Sequence, residues 1–412
     1  MPPRRLVIIG GGAAGYFAAI TAAETDPTAR VILLERSAQV LAKVRISGGG
    51  RCNVTHACFD PREFVARYPR GGAELIGPFH RFQARDTVAW FAARGVELKT
   101  ESDGRMFPVT DSSATIVDCL TRAAHRAGVQ VRTRCEVLTA RRVGTGFELE
   151  LADNERLAAD RLLLATGGCR VAAAARLATD FGHTLVPPVP SLFSFHLAAP
   201  WLTELAGTSV ATVELSVAPT GLRECGPLLI THGGLSGPAV LRLSAWGARQ
   251  LQAMNYQFPL VVNWLPQLGI EALVAEIQSQ RQTHGAKLVK NRPLGHLPAR
   301  LWEALAAAAG IDSTTRWSAL TRSQLQQLKT QLTRTELPVT GQSLNKEEFV
   351  TCGGVKLSEV NFATMESRVC PRLHFAGELL DIDGLTGGFN FQAAWTTGWL
   401  AGKAMVAPDP RP

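Results

Sequence analysis

The 412-residue sequence has little lysine, no closely paired cysteines and no long uninterrupted apolar run. Its eight cysteines include no CxxC pair, which excludes a zinc ribbon or a thioredoxin-like motif and favours a reducing, cytoplasmic location. Because no stretch of about 20 apolar residues occurs, no membrane span is expected. Hydrophobic residues make up 46% and charged residues 19%, which excludes a disordered or collagen-like chain. The composition therefore predicts a globular protein of two or three domains.

Basic residues outnumber acidic ones, 43 to 35, and the net charge is +8. Only eight of the basic residues are lysine and 35 are arginine. Arginine suits phosphate-rich partners, because its planar guanidinium group binds phosphate through two hydrogen bonds. A bias in base composition would enrich arginine equally well, so charge alone leaves an RNA partner undecided.

The first 36 residues have the pattern of a βαβ unit. An apolar strand at 6–9 is followed by a glycine-rich turn at 10–15, a helix of small residues, and a second strand at 31–35. The apolar run 6–23 also resembles a secretory signal peptide, but the glycines at its front argue against that interpretation.

The turn contains a GxGxxG motif formed by Gly10, Gly12 and Gly15. The first glycine permits the tight turn, the second lets a pyrophosphate approach the backbone, and the third lets the helix pack on the strand. Glu35 ends the second strand, where a carboxylate accepts hydrogen bonds from an adenosine ribose and repels a 2′-phosphate. The unit predicts a dinucleotide site for which both FAD and NAD are suitable.

Three further glycine-rich segments follow, at 43–53, 164–168 and 384–392. The first lies in a stretch up to about residue 70 that we expect to be turns and extended chain. Its glycines, with flanking arginine and asparagine, suit either a charged ligand or an ordinary surface turn. None of the three segments is decisive alone.

Three prolines, Pro187, Pro188 and Pro190, mark a change in the sequence pattern. Beyond them, short β-like runs precede a polar, helix-forming stretch, and strand character resumes at 350–355 before a last helix. We predict a discontinuous first domain (1–188 and 345–412), a β-rich insert (189–262) and a helical part of that insert (263–344).

Five ordered motifs carry a resemblance to a known family: IIGGGAAG at 8–15, SGGGRCNVT at 47–55, THGGLSGP at 231–238, TCGGV at 351–355 and GELLD at 377–381. The sequence resembles the FAD-dependent proteins grouped as BaiN, RdsA and aminoacetone oxidase-like. The resemblance implies an α/β fold: a Rossmann-like FAD-binding domain of the glutathione reductase type (ββα), interrupted by an insert with a small β-barrel and a helical subdomain.

The resemblance also implies where FAD binds. The ADP half would lie on the first turn and Glu35, the adenine at Val137, and the pyrophosphate beside Thr166. A helix starting near Phe389 would direct its N–H groups and positive dipole end toward the flavin N1 and O2 edge. Asp383 fits a turn role equally well. The full set of implied cofactor residues is Gly10, Gly12, Ala13, Ala14, Gly15, Glu35, Arg36, Lys43, Ser47, Gly48, Gly49, Gly50, Arg51, Cys52, Asn53, Val137, Thr166, Gly167, Gly377, Glu378, Asp383, Gly387, Gly388, Phe389 and Asn390.

Five side chains have competing interpretations. His232 is the best candidate for proton transfer near the flavin, although a loop-fixing hydrogen bond is an alternative. Cys52 and Cys58 are separated by five residues rather than the four found in flavin disulfide reductases, so we expect buried thiols. Trp395 and Trp399 lie four apart on the last helix, which predicts core positions. No metal site is predicted.

The expected activity is that of an FAD oxidoreductase that passes hydride from a reduced donor to an unsaturated substrate. No second GxGxxG with a following acid occurs, so NAD(P)H, if it is the donor, would visit the flavin transiently. The sequence does not decide between two classes of substrate, uridine in ribosomal RNA and a small metabolite such as an enone or aminoketone. A flavin-binding regulatory protein without turnover is a third hypothesis, and the sequence gives no oligomeric state.

Overall fold

The structure is a computed structural model that describes residues 3–169, 172–343 and 350–408. These residues divide into two compact units, one up to Pro190 and from Val350 onward, the other from Ser191 to Ser343. The predicted boundary at 344/345 lies outside the described residues. Among the helices described, none is long and apolar enough to cross a membrane.

Both units contain strands and helices. The strands are β1 (Arg5–Ile9), β2 (Arg30–Leu34), β3 (Thr55–His56), β4 (Leu98–Thr100), β5 (Arg105–Pro108), β6 (Gln130–Arg132), β7 (Val137–Val143), β8 (Gly146–Leu151), β9 (Arg156–Ala159), β10 (Arg161–Leu164), β11 (Leu185–Ser191), β12 (Ser194–Leu197), β13 (Ser209–Val217), β14 (Leu222–Thr231), β15 (Gly234–Ser236), β16 (Phe258–Asn263), β17 (Thr335–Ser343), β18 (Val350–Val355), β19 (Val360–Asn361), β20 (Glu366–Ser367) and β21 (Leu373–Phe375).

The helices are α1 (Ala13–Thr25), α2 (Ala42–Gly50), α3 (Pro61–Val65), α4 (Gly72–Arg81), α5 (Ala84–Ala92), α6 (Ser113–Arg126), α7 (Ala172–Asp180), α8 (Pro200–Thr203), α9 (Pro238–Trp246), α10 (Ala248–Ala253), α11 (Ile270–Thr283), α12 (Ala299–Ala308), α13 (Arg322–Thr333) and α14 (Phe389–Val406).

The first unit is built on a seven-stranded sheet in the order β19-β20-β21-β10-β1-β2-β6. The five strands from β21 to β6 are parallel. β1, β2 and β10 are almost wholly buried, as expected for parallel strands covered on both faces. The carboxyl ends of β1, β2, β10 and β21 therefore meet at one edge, where ligands bind in open α/β sheets.

α14 packs closely on α1, and two glycines allow the contact. A Cβ on Gly398 would lie 2.5 Å from Ala14 O, and a Cβ on Gly402 would lie 2.5 Å from Ala18 O. The two helix backbones thus touch, and this fixes the C-terminal helix against the helix that follows the first glycine turn.

The second unit contains a closed barrel in the order β12-β15-β14-β13-β16-β17. One buried hydrophobic core runs through the barrel and the helices, and within it Trp264 Nε1 donates to Thr335 Oγ1 (2.8 Å) and Trp302 Nε1 donates to Val289 O (2.8 Å). β17 follows the helices, so the segment predicted as helical, 263–344, also supplies a barrel strand. The predicted fold class, a Rossmann-like domain with a barrel and helical elements, is confirmed.

The stretch expected to be turns and extended chain up to residue 70 contains two helices, α2 and α3. α2 carries a kink at Ser47 (ψ 148°), after which Gly48 and Gly49 have positive φ. Because the kink leaves only about one regular helical turn before the glycines, the sequence shows no helical periodicity here.

Candidate functional site

The turn after β1 crosses the end of β10 at close range. Gly10 has φ +115°, and a Cβ there would lie 2.2 Å from Ala165 O. A Cβ on Gly15 would lie 2.0 Å from Gly10 O. These two glycines are therefore required by the packing of the chain against itself.

Gly12 is different, because no atom of the described residues lies within 4 Å of the place a Cβ would take. Its φ is −88°, a value that any residue adopts. Gly12 is also the N-cap of α1, and among the described residues no side chain caps this end. Its open space and the uncapped amide groups fit a phosphate group.

A second observation at the same edge points to a ligand. Thr166 follows β10, and its buried Oγ1 has no hydrogen-bond partner within the described part of the chain. A buried hydroxyl without a partner is costly. Next to it, Gly167 has φ +79° and no atom of the described residues within 4 Å of its Cβ position. The two residues complete a cradle whose polar groups fit a pyrophosphate.

The Glu35 carboxylate holds the turn in place. Its Oε2 accepts from Gly11 N (2.8 Å), and its Oε1 accepts from Ser37 N and Oγ (both 2.8 Å). About one acceptor position of the four on a carboxylate is left for a ribose hydroxyl. Cys135 N donates to Glu35 O (2.9 Å), which brings the start of β7, with the buried Val137, close to this end of β2. Arg36 is exposed.

The 43–53 segment is anchored by its charged side chains to other parts of the first unit. Lys43 pairs with Glu378, whose Oε1 also accepts from Thr351 N (2.9 Å). Arg51 donates to Glu101 (2.6 Å), and its guanidinium lies 4.0 Å from the centre of the Phe107 ring. These contacts give Lys43, Arg51 and Glu378 positioning roles.

The glycines between those anchors leave space. Gly49 and Gly50 have positive φ, and no atom of the described residues lies within 4 Å of either Cβ position. Cys52 also has positive φ (61°) and is fully buried. Burial raises the pKa of its thiol to about 12. Cys52 and Cys58 are both free thiols, as predicted, although Cys58 is only half-buried.

The start of α14 is held rigidly by asparagine side chains. The Asn53 amide accepts from Gly388 N (3.0 Å) and donates to Thr55 O (3.1 Å). A Cβ on Gly388 would lie 2.5 Å from Thr55 O. Asn390 accepts from Gly384 N and donates to Gly384 O (both 2.8 Å). The 384–390 loop is therefore fixed against β3 by hydrogen bonds and close packing.

Residues that the sequence analysis missed surround Phe389. The His56 ring stacks on it at 4.9 Å, and Tyr68 Oη donates to Phe389 O (2.6 Å). His56 Nδ1 accepts from Cys58 N (3.1 Å), so its Nε2 carries the proton that faces Asp103 O (3.1 Å). Burial lowers the pKa of His56 and keeps the ring neutral. Only its place directly after the 47–55 motif could have indicated His56.

Three further predicted residues, Asp383, Gly377 and Gly387, lie in the first unit. The Asp383 carboxylate is fully buried and ion-paired with Arg70, so it holds the chain before α14 rather than a simple turn. Gly377 has φ +73° and donates from its N–H to Thr397 Oγ1 (2.9 Å). Gly387 has φ +129° and lies beside the Phe389 ring.

His232 lies in the second unit, at the turn between β14 and β15, and is exposed. The structure gives it no hydrogen bond to the described residues, whereas His196 Nδ1 lies 3.1 Å from Gly233 O. The role of His232 in proton transfer stays a prediction. No group of metal-ligating side chains occurs in the part of the chain that the structure describes.

The last helix corrects the expectation that Trp395 and Trp399 are both core residues. Trp395 is a core residue whose Nε1 donates to Val54 O (3.0 Å). Trp399 is half-buried and stacks on Phe82 at 5.3 Å. Arg81 and Lys403 lie over its ring, at 5.9 and 5.7 Å. Trp399 thus belongs to the surface rather than to the core.

Comparisons with known proteins cover nearly the whole chain. A ribosomal RNA dihydrouridine synthase of Escherichia coli is 33% identical over 411 residues, covering 97% of this chain and 98% of that protein. A 3-dehydro-bile acid delta(4,6)-reductase of Clostridium scindens is 31% identical over 414 residues, covering 98% and 99%. The fold of the present chain is similar to that of the 3-ketosteroid-delta4-(5alpha)-dehydrogenase of Rhodococcus jostii. The TM-score is 0.52 and the identity 15%, and the match covers 99% of this chain and all of that one.

The family model described as HI0933-like protein Rossmann domain matches residues 4–404. At the level of the family, these findings confirm the expected FAD cofactor and the expected oxidoreductase activity. The chain belongs to the HI0933-like Rossmann family of FAD-dependent oxidoreductases, the family that includes the BaiN and RdsA type.

Proposed function

We propose that this protein reduces uridine to dihydrouridine in ribosomal RNA. The observation that carries the proposal is the similarity, 33% over 97% of the chain, to a ribosomal RNA dihydrouridine synthase. A second protein of that name, from Haemophilus influenzae, is 28% identical over 97% of the chain. The excess of arginine adds support, because an RNA substrate carries one phosphate per nucleotide.

FAD would be held at the edge where β1, β2, β10 and β21 end. Gly12 and Thr166 would bind its pyrophosphate, Glu35 its ribose, and Val137 its adenine. The 47–53 segment and the 387–390 helix start would enclose the flavin. The open space at Gly12 and the unpartnered Thr166 hydroxyl support this assignment.

FAD, when bound, supplies hydride transfer between a reduced donor and an unsaturated bond. The chain contributes orientation and electrostatics. The amide groups at the start of α14 would stabilise the negative charge that reduction adds, because an 18-residue helix places its positive dipole end there. We further propose that NAD(P)H binds transiently and that His232 supplies the proton.

Uracil and a steroid enone share a carbon–carbon double bond conjugated to a carbonyl. Hydride adds to the carbon remote from the carbonyl, and a proton then adds to its neighbour. The 31% identity to a bile acid reductase therefore favours a small enone as the second candidate substrate.

The dihydrouridine content of ribosomal RNA tests the proposal in cells. A strain that lacks the gene is compared with the same strain carrying either the wild-type gene or the Gly12→Val variant. Dihydrouridine should disappear in the deletion strain and return with the wild-type gene alone. Full dihydrouridine in the deletion strain would reject the RNA substrate and favour the enone.

A further inference from the structure

A cavity of about 290 Å³ lies in the first unit, between the ends of α1, α5 and α6. Three arginines line it: Arg94 directly after α5, and Arg122 and Arg126, one turn apart on α6. The flavin site described above does not use any of them. A cavity with three guanidinium groups has the chemistry of an anion site.

Two of the three cations have no compensating charge. Arg94 binds the Glu24 carboxylate through both oxygens (2.6 and 2.7 Å). Arg122 and Arg126 are exposed, and within the described residues neither has an ion pair or a side-chain hydrogen bond. With Glu24 as the single acid in the lining, the cavity carries a net charge of about +2.

The three arginines line the cavity together with Cys119 of α6. Burial raises the pKa of the Cys119 thiol, and Arg94, Arg122 and Arg126 all oppose that rise. Their guanidinium groups thus act on the same side chain in the cavity wall. One anion in this cavity would interact with all three.

Two half-buried tryptophans, Trp90 and Trp399, lie at the ends of a row of aromatic rings whose middle members, Phe17 and Phe82, are buried. The Arg94 guanidinium lies 3.7 Å from the centre of the half-buried Trp90 ring. Trp90 is 4.6 Å from Phe17, Phe17 is 5.5 Å from Phe82, and Phe82 stacks on Trp399. Trp399 in turn lies beneath Arg81 and Lys403. The rings therefore pack the interior, and the cations over the two tryptophans add positive charge at the surface.

The distance between the flavin site and the cavity sets a minimum length for a ligand that contacts both. α1 runs from the glycine turn, beginning at Ala13, to Thr25 beside the cavity. At 1.5 Å per residue, its 13 residues span roughly 20 Å. That exceeds the length of a single nucleoside or a steroid. A substrate that reaches both places must be a polymer.

We propose that Arg94, Arg122 and Arg126 bind the sugar-phosphate backbone of the RNA substrate. The inference rests on the proposed function and assigns the surface that holds the RNA away from the reacting base. Arg122 and Arg126, which are exposed, contact the phosphates.

The test compares two double variants of the FAD-loaded protein that lose the same charge. Arg122→Gln with Arg126→Gln removes the free cations of the cavity. Arg30→Gln with Arg156→Gln removes two exposed arginines elsewhere in the first unit that likewise have no side-chain partner among the described residues. FAD content and reduction by NAD(P)H should be unchanged in both, because all four residues lie outside the flavin site.

The readouts are ribosomal RNA affinity across salt concentrations and the kinetics of dihydrouridine formation. Two lost phosphate contacts should make the slope of log Kd against log salt shallower by about 1.5. The KM for RNA should rise at least tenfold in the cavity variant, while kcat at saturating RNA stays the same. The control variant should follow the wild type.

The outcomes separate the inference from the proposed function. If the wild type forms dihydrouridine and both variants behave alike, the surface assignment is wrong and the function stands. If the cavity variant loses affinity for inorganic phosphate but keeps the wild-type RNA slope, the cavity binds a free anion and the RNA assignment is overturned. Absence of RNA binding by the wild type would reject both.

Discussion

Gly12 and Gly10 are two residues apart, yet a side chain would have opposite effects at the two positions. At Gly10 it would collide with the backbone of Ala165, whereas at Gly12 it would enter space that no described residue fills. The close packing at Gly10 and the open space at Gly12 agree with the roles that the motif predicts, a tight turn at the first glycine and the approach of a ligand at the second.

Gly12→Val should therefore remove FAD and leave the fold intact. The purified variant should be colourless, and the thermal midpoint of its apoprotein should lie within a few degrees of that of the wild-type apoprotein. Gly269→Val is the matched control, because Gly269 is also an N-cap with negative φ (−63°) and open space at its Cβ position. A yellow Gly12→Val protein with full FAD content would show that the pyrophosphate binds elsewhere.

His374 gives the fold a dependence on pH. It lies in β21 with a buried side chain, and its Nδ1 has no partner in the described residues. Burial, together with the charge of Arg161, lowers its pKa to about 3. The unfolded chain binds a proton near pH 6.5, so the contribution to stability is complete above that pH and falls as the pH drops toward 3.

The stability of the His374→Leu variant should depend less on pH than that of the wild type. Between pH 8 and pH 5 the free energy of unfolding should fall by about 2 kcal/mol more in the wild type than in the variant. Urea denaturation of both proteins at the two pH values measures the difference. Parallel losses of stability in the two proteins would mean that His374 does not titrate as its burial implies.

At the scale of elements, the start of α14 depends on the Asn390 side chain. Asn390→Ala removes its two 2.8 Å hydrogen bonds to the Gly384 backbone. We expect a loss of about 2 kcal/mol in FAD binding and a lower flavin potential, because the helix start becomes less rigid. Titration of apoprotein with FAD and redox titration of the holoprotein are the measurements. Unchanged affinity and potential would contradict the role of this loop.

Elements built from simple patterns were predictable from the sequence, whereas elements shaped by tertiary contacts were not. β1, β2 and β10 are apolar runs, and they lie where the sequence indicated. α2 was missed because it kinks at Ser47. Trp399 was taken for core because helical spacing gives its distance from Trp395 but not the direction in which solvent lies.

At the scale of the whole molecule, sequence gave the cofactor class but not the substrate. The glycine motifs and Glu35 indicate a dinucleotide cofactor. Reduction of uracil and reduction of an enone both require hydride transfer from the flavin, so the cofactor motifs do not distinguish the two substrates. The arginines of the α6 cavity come together only through packing of α1, α5 and α6.

Binding of ribosomal RNA by the wild-type protein should depend steeply on salt. With about four phosphate contacts, affinity should fall on the order of a hundredfold between about 50 and about 200 mM salt. A small enone should show almost no such dependence, because its binding releases few counterions. Fluorescence anisotropy with a labelled ribosomal RNA fragment gives the slope. A flat curve would exclude an electrostatic RNA interface.

The most direct measurement of the central claim is the product formed in a purified system. FAD-loaded protein is incubated anaerobically with ribosomal RNA from the deletion strain and with NADH or NADPH, and the digested nucleosides are analysed by mass spectrometry. The account predicts dihydrouridine at a defined position, formed only with the donor present and not by the Gly12→Val variant. Reduction of a conjugated enone by the same preparation, with no dihydrouridine in the RNA, would contradict it.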